Sequence, residues 1–91
     1  MKDDKIVNKI KKVLKKFKVK KAGIFGSFAR GEESADSDID ILIEVKGSLM
    51  DVVKIEMSLE KEVKRKIDLL TYGGISPLLK DRILKEEIRI I

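Results

Sequence analysis

The sequence predicts one small α/β domain, a three-stranded sheet packed on helices, and three observations predict it. Apolar residues recur at three- and four-residue spacing near the N-terminus and again from residue 49, as amphipathic helices require. Residues 38–45 place Ile39, Ile41, Ile43 and Val45 on one face by the two-residue period of a strand. Glycine-containing breaks at Gly26-Ser27, Gly47-Ser48 and Gly73-Gly74 separate the segments.

The elements follow in order. Ile6, Val7, Ile10, Val13, Leu14 and Phe17 form an apolar stripe between lysines, which predicts a helix over residues 3–17. Ala22–Phe25 is a short apolar strand running into the Gly26-Ser27 turn. The strand at 38–45 comes next, with Asp38 and Asp40 sharing the face opposite its isoleucines. Residues 49–64 read as a helix through Val52, Val53, Ile55 and Leu59, supported by Glu60/Lys64 and Glu62/Lys66 pairs at four-residue spacing. Ile67–Thr71 is a third strand. Ser76 as N-cap and Pro77 at the first helical position predict a last helix carrying Leu78, Leu79, Ile83, Leu84 and Ile88. Ile88, Ile90 and Ile91 suggest a C-terminus that is buried or shared with a homo- or hetero-oligomeric partner. No repeat, linker or low-complexity tract interrupts the order, so residues 1–91 form a single domain.

Composition limits the chemistry. A chain of 91 residues can bury only a modest core. With 43% hydrophobic residues it is expected to fold, and no apolar run reaches the ~18 to 20 residues of a membrane span. No export signal is visible, and the lack of cysteine fits a soluble cytoplasmic protein. With neither Cys nor His, the usual zinc sites, cysteine nucleophiles and histidine acid–base chemistry are excluded. What remains is carboxylates, hydroxyls, backbone amides, Lys and Arg. Their distribution is uneven: residues 1–24 carry ten basic and two acidic side chains, residues 25–51 two basic and seven acidic. The lysines read either as the solvated face of the first helix or as an attraction for polyanions. With 4% aromatics there is little to stack on bases, so direct binding of single-stranded nucleic acid is not expected.

The acidic island contains the informative pattern. Two carboxylates two residues apart on a strand repel each other unless a cation offsets them. Mg²⁺ is the simplest offset, because it uses one or two protein carboxylates together with substrate phosphates. An acidic pair in a loop before a strand is also common, so the pair alone decides little. Asp36, Asp38 and Asp40 match the start of an EF-hand loop, but Ile41 stands where that loop needs glycine. No P-loop motif is present. Gly26-Ser27 is the other candidate: a glycine after a strand lets backbone approach a phosphate, and Ser27 adds a hydroxyl donor.

Taken jointly, strand, Gly26-Ser27, Ala29-Arg30-Gly31-Glu32, and Asp38-x-Asp40 with ten residues between the serine and Asp38, resemble the signature of the DNA polymerase beta-like nucleotidyltransferases. The likeness is to the minimal type, the MNT antitoxins, because it spans nearly the whole chain. It implies a nucleotidyltransferase fold with a small mixed sheet and a third carboxylate on a neighbouring strand, for which Asp68 is the candidate and Asp36 or Glu44 the alternatives. It further implies that Asp38, Asp40 and Asp68 are catalytic and hold two Mg²⁺ ions ~4 Å apart. Gly26 and Ser27 would bind the β- and γ-phosphates of ATP. Arg30 is a candidate phosphate neutraliser or a surface ion pair, with Lys80 and Arg82 as weaker candidates of the same kind. The activity implied is transfer of AMP from ATP to a tyrosine of a HEPN-domain toxin, with release of pyrophosphate. The alternative is an antitoxin that neutralises its HEPN partner by binding alone.

Overall fold

The computed structural model describes residues 4–32 and 38–91. Asp36 and most of the acidic connector therefore lie outside the described residues. Helix α1 (Asp4–Lys16) buries Val7, Ile10, Val13 and Leu14. Strand β1 (Ala22–Phe25) leads directly into the short helix α2 (Gly26–Arg30). Strand β2 (Ile39–Ile43), helix α3 (Leu49–Val63) and strand β3 (Ile67–Thr71) follow, and helix α4 (Lys80–Glu86) and strand β4 (Ile88–Arg89) close the fold.

The sheet is mixed and has four strands in the order β3-β2-β1-β4, one more than the sequence predicts. β1 pairs antiparallel with β2 and β4, whereas β2 and β3 run parallel. A parallel pair needs a crossover, and α3 supplies it. The larger core lies on the face covered by α1 and α3. There Ile24, Ile39, Ile41, Ile43, Ile67 and Leu69 meet the α1 stripe and Ile55, Leu59 and Val63 of α3. A smaller cluster on the other face joins Phe25, Leu42, Ile75 and Ile83, with Leu70 and Tyr72 against it. β2 is consequently buried along its whole length except at Asp40, which is half-buried.

Three expectations need correction. The last helix begins at Lys80, not at Ser76-Pro77; the Leu79 amide instead donates to the Ser76 carbonyl at 2.9 Å in a turn that precedes the helix. Ile88 belongs to β4, where it faces Ile24 across the ladder, and Ile90 donates to the Ala22 carbonyl at 3.0 Å. The C-terminal Ile90 and Ile91 thus pack against the chain's own core. The Glu60/Lys64 and Glu62/Lys66 pairs give way because α3 stops at Val63. Lys64 takes the left-handed cap conformation, Lys66 turns to Asp38, and Glu60 accepts the Ile67 amide at 3.2 Å.

β4 is tied down by a polar contact as well. The Tyr72 hydroxyl donates to the Glu87 carboxylate, and Lys21 Nζ stands 4.4 Å from the centre of the Tyr72 ring. Burial, then the bond to Glu87, pushes the Tyr72 hydroxyl above its ordinary value. Gly23 leaves the space that the Glu87 side chain fills.

Candidate active site

The C-terminal end of β1 and the N-terminal ends of β2 and β3 meet at one edge of the domain. Ladder register decides what gathers there. Phe25 lies opposite Asp40, and Asp40 lies beside Asp68 on the parallel neighbour, so side chains of both aspartates leave the same face of the sheet. The charge of Asp68 bears on Asp40 across the ladder. Asp38 precedes β2 by one residue and its charge also reaches Asp40. Asp68, the candidate third carboxylate, thus lies beside Asp40 on the neighbouring strand. Glu44, one alternative, is four residues along from Asp40, about 13 Å at the rise of a strand, and its amide bonds to Lys21 at the opposite end.

Gly26 carries the chain over this cluster. Its φ is +75°, in the left-handed region that favours glycine. A Cβ there would also stand 3.1 Å from Asp40 Cγ and overlap its Oδ2. The turn and the carboxylate are therefore packed backbone against side chain. Phe28 anchors α2 in the core, and the Arg65 guanidinium lies over its ring at 5.9 Å. Gly31, at φ +73°, ends the helix. No side chain caps the start of α2, where Ser27 is half-buried beside the turn.

The electrostatics follow from this packing. Asp40 is pushed up from 3.8 to about 6, first by burial, then by the charges of Asp68 and Asp38, with Arg30 opposing. Arg30 is engaged by Glu32 at 3.0 Å and Glu86 at 3.1 Å, and the bond to Glu32 raises its pKa. It therefore reads as an ion pair whose field still reaches Asp40. Arg82 lies 3.7 Å from Glu86 in the same network, and Lys80 is exposed at the start of α4. Glu56 was not singled out by its place in the helical pattern. Burial, then the charges of Glu60 and Asp68, push it above its ordinary value.

The sign of the Asp40 shift makes a prediction. Between about pH 4 and 6 the native state holds a proton that the unfolded chain has released, so stability falls as pH rises through that window and stays lower above it. Asp40→Asn is therefore expected to raise stability at about pH 7.5 by about 1 kcal/mol, allowing for solvent screening of a half-exposed group, and to change little at about pH 4. Denaturant midpoints at the two pH values check this.

The donor set fits a hard divalent ion shared with a substrate. Among the described residues no three His, Cys, Asp or Glu side chains are drawn together into a cage for a metal. Mg²⁺ does not need one, since one or two carboxylates and substrate phosphates suffice. Asp40 and Asp68, with excess negative charge between them, supply that minimum. Two grooves of about 380 and 340 Å³ lie at the opposite end of β2, around Glu44, Val45 and Gly47. Neither is lined by Asp38, Asp40 or Asp68, and the chemistry of the carboxylates marks the candidate site.

A glycine turn thus packs on paired carboxylates in a small mixed sheet. Residues 8–91 match the family described as Polymerase beta, Nucleotidyltransferase, and the chain belongs to it. A candidate protein adenylyltransferase of Methanocaldococcus jannaschii is 48% identical over 90 residues, covering 97% of both chains. The protein adenylyltransferase MntA of Thermococcus cleftensis is 30% identical over 82 residues, covering 88% of this chain and 83% of its own. The fold is also similar, at a TM-score of 0.76 and 20% identity, to a chain in the structure of a tri-AMPylated Shewanella oneidensis HEPN toxin bound to its MNT antitoxin. That match covers 97% of this chain and 71% of the other. Among the described residues no helix is long and apolar enough to cross a membrane.

Proposed function

We propose that this chain is the antitoxin of a HEPN/MNT pair and transfers AMP from ATP to a tyrosine hydroxyl of its HEPN partner, releasing pyrophosphate. The observation that carries this reading is the register that sets Asp68 beside Asp40 under the Gly26 turn. The adenylyltransferase names of the relatives and the adenylylated toxin in the structural neighbour support it.

In this reading Gly26 and Ser27 hold the β- and γ-phosphates through backbone amides and the serine hydroxyl. Asp38 and Asp40 would hold Mg²⁺ on the nucleotide side, and Asp40 and Asp68 a second ion. The chemistry supplied there is neutralisation of charge on the α-phosphate and at the leaving oxygen. Asp68 is exposed on β3, and in this reading it would take the acceptor's proton as the acceptor oxygen bonds the α-phosphorus. The bond from the α-phosphorus to the bridging oxygen breaks, and pyrophosphate leaves. Catalysis rests on positioning and charge complementarity.

Incubation of the chain with ATP, Mg²⁺ and a purified cognate HEPN protein tests the proposal by intact mass. The partner is expected to gain whole adenylyl units. An inhibited partner of unchanged mass would favour neutralisation by binding alone.

A further inference from the structure

The residue before β3 extends the carboxylate cluster by a cation. Lys66 lies two residues before Asp68 and shares its face, while Ile67 between them points into the core. The Lys66 carbonyl accepts the Ile39 amide at 3.0 Å, which aligns Lys66 with Asp38 as Asp68 is aligned with Asp40. The site therefore has two rungs, Asp38 with Lys66 and Asp40 with Asp68. Three corners are negative and one is positive.

The positive corner is loosely held. Lys66 Nζ is 3.9 Å from Asp38 Oδ2, with side chains 75% and 45% exposed. Arg30, whose charge reaches Asp40, is committed to two carboxylates at 3.0 and 3.1 Å. A lysine ammonium is a point charge on a flexible stem, suited to changing partners.

We infer that Lys66 exchanges partners during nucleotide loading, holding Asp38 in the empty site and turning to an oxygen of the triphosphate once nucleotide and cation arrive. The inference rests on the nucleotide-site reading above. A divalent cation on Asp38 takes up the carboxylate and repels the ammonium, while the incoming triphosphate brings more negative charge within the lysine's reach. Lys66 thus competes with metal in the empty site and assists the metal–nucleotide complex. These effects have opposite signs, which a merely structural role would not produce.

The experiment measures two affinities in the wild type, Lys66→Met and Lys66→Arg: Mn²⁺ without nucleotide, and AMP-PNP with saturating Mg²⁺. Thermal melts confirm that each variant folds. Lys66→Met is expected to bind Mn²⁺ about 3-fold more tightly, the scale of an exposed ion pair, and AMP-PNP about 10-fold more weakly, the scale of a charge-assisted contact to phosphate. Lys66→Arg should stay within about twofold of wild type in both, since it retains the charge. If Lys66→Met moves both affinities in the same direction, or leaves either unchanged, the exchange is refuted. A wild type that binds Mn²⁺ but no AMP-PNP would instead overturn the nucleotide-site reading, and the exchange with it.

Discussion

Asp40→Ala is expected to lower adenylyl transfer by at least about a thousandfold while leaving a folded protein, the scale of removing a group that acts on transition-state charge. Asp40 is the shared corner of the site. It faces Asp68 across the ladder, feels Asp38 along the chain and packs under Gly26. Its removal takes a ligand from both proposed ion positions at once. In the free protein it also relieves like-charge repulsion, so the variant should melt no lower than the parent near neutral pH. Asp38→Ala and Asp68→Ala are expected to lose transfer as well. A single-turnover transfer rate, paired with a melting curve, separates lost chemistry from lost folding. Unchanged transfer by Asp40→Ala would mean that the site lies elsewhere.

Gly26→Ala is expected to damage both stability and transfer. The left-handed φ of +75° costs a non-glycine residue about 1–2 kcal/mol, and the new methyl occupies the place of the Asp40 carboxylate. We expect a stability loss of that size and a fall in transfer of about a hundredfold, because a displacement of about 1 Å at a positioned group has effects on this scale. Gly31→Ala is the control. It carries a similar left-handed strain, φ +73°, at the far end of α2. It should lose comparable stability yet keep transfer within about tenfold of the parent, a split visible when melting temperature and transfer rate are measured on both variants.

Much of the fold was legible because its periodicities are local. The α1 stripe, the isoleucine alternation of β2 and the apolar face of α3 announce themselves within single segments. β4 was not legible for the same reason. Two residues have no period, and the Ile88 that belongs to it continues the helical spacing of Ile83 and Leu84; only pairing with Gly23 and Ile24 makes it a strand. Ser76-Pro77 satisfies the local rules for a helix start, but the chain uses them for a turn and begins the helix three residues after the proline. Leu42 reads as part of the polar face that Asp38 and Asp40 define, yet α4 and the segment before it cover that face with Ile83 and Ile75.

The site divides along the same line. Gly26-Ser27, Asp38 and Asp40 form a short-range sequence pattern with a chemical rationale. Asp68 could be nominated only as the acidic residue of a third strand; its register beside Asp40 is a tertiary fact. The contact between Gly26 and the Asp40 carboxylate, and the alignment of Lys66 with Asp38, also arise only when three strands come together. Lys66 looked like a helix-pair residue because its spacing from Glu62 is right, and it is the early end of α3 that frees it for another role.

The central claim is that the carboxylate cluster directs attack at the α-phosphorus of ATP by a partner's hydroxyl. Parallel reactions of the chain and its HEPN partner with ATP labelled at the α- or the γ-phosphate test it most directly. The account predicts acid-stable α-label on the partner, γ-label recovered in pyrophosphate in equal amount, and neither in Asp40→Ala. Transfer of γ-label to the partner, or inhibition of the partner with no label on it, would contradict the account.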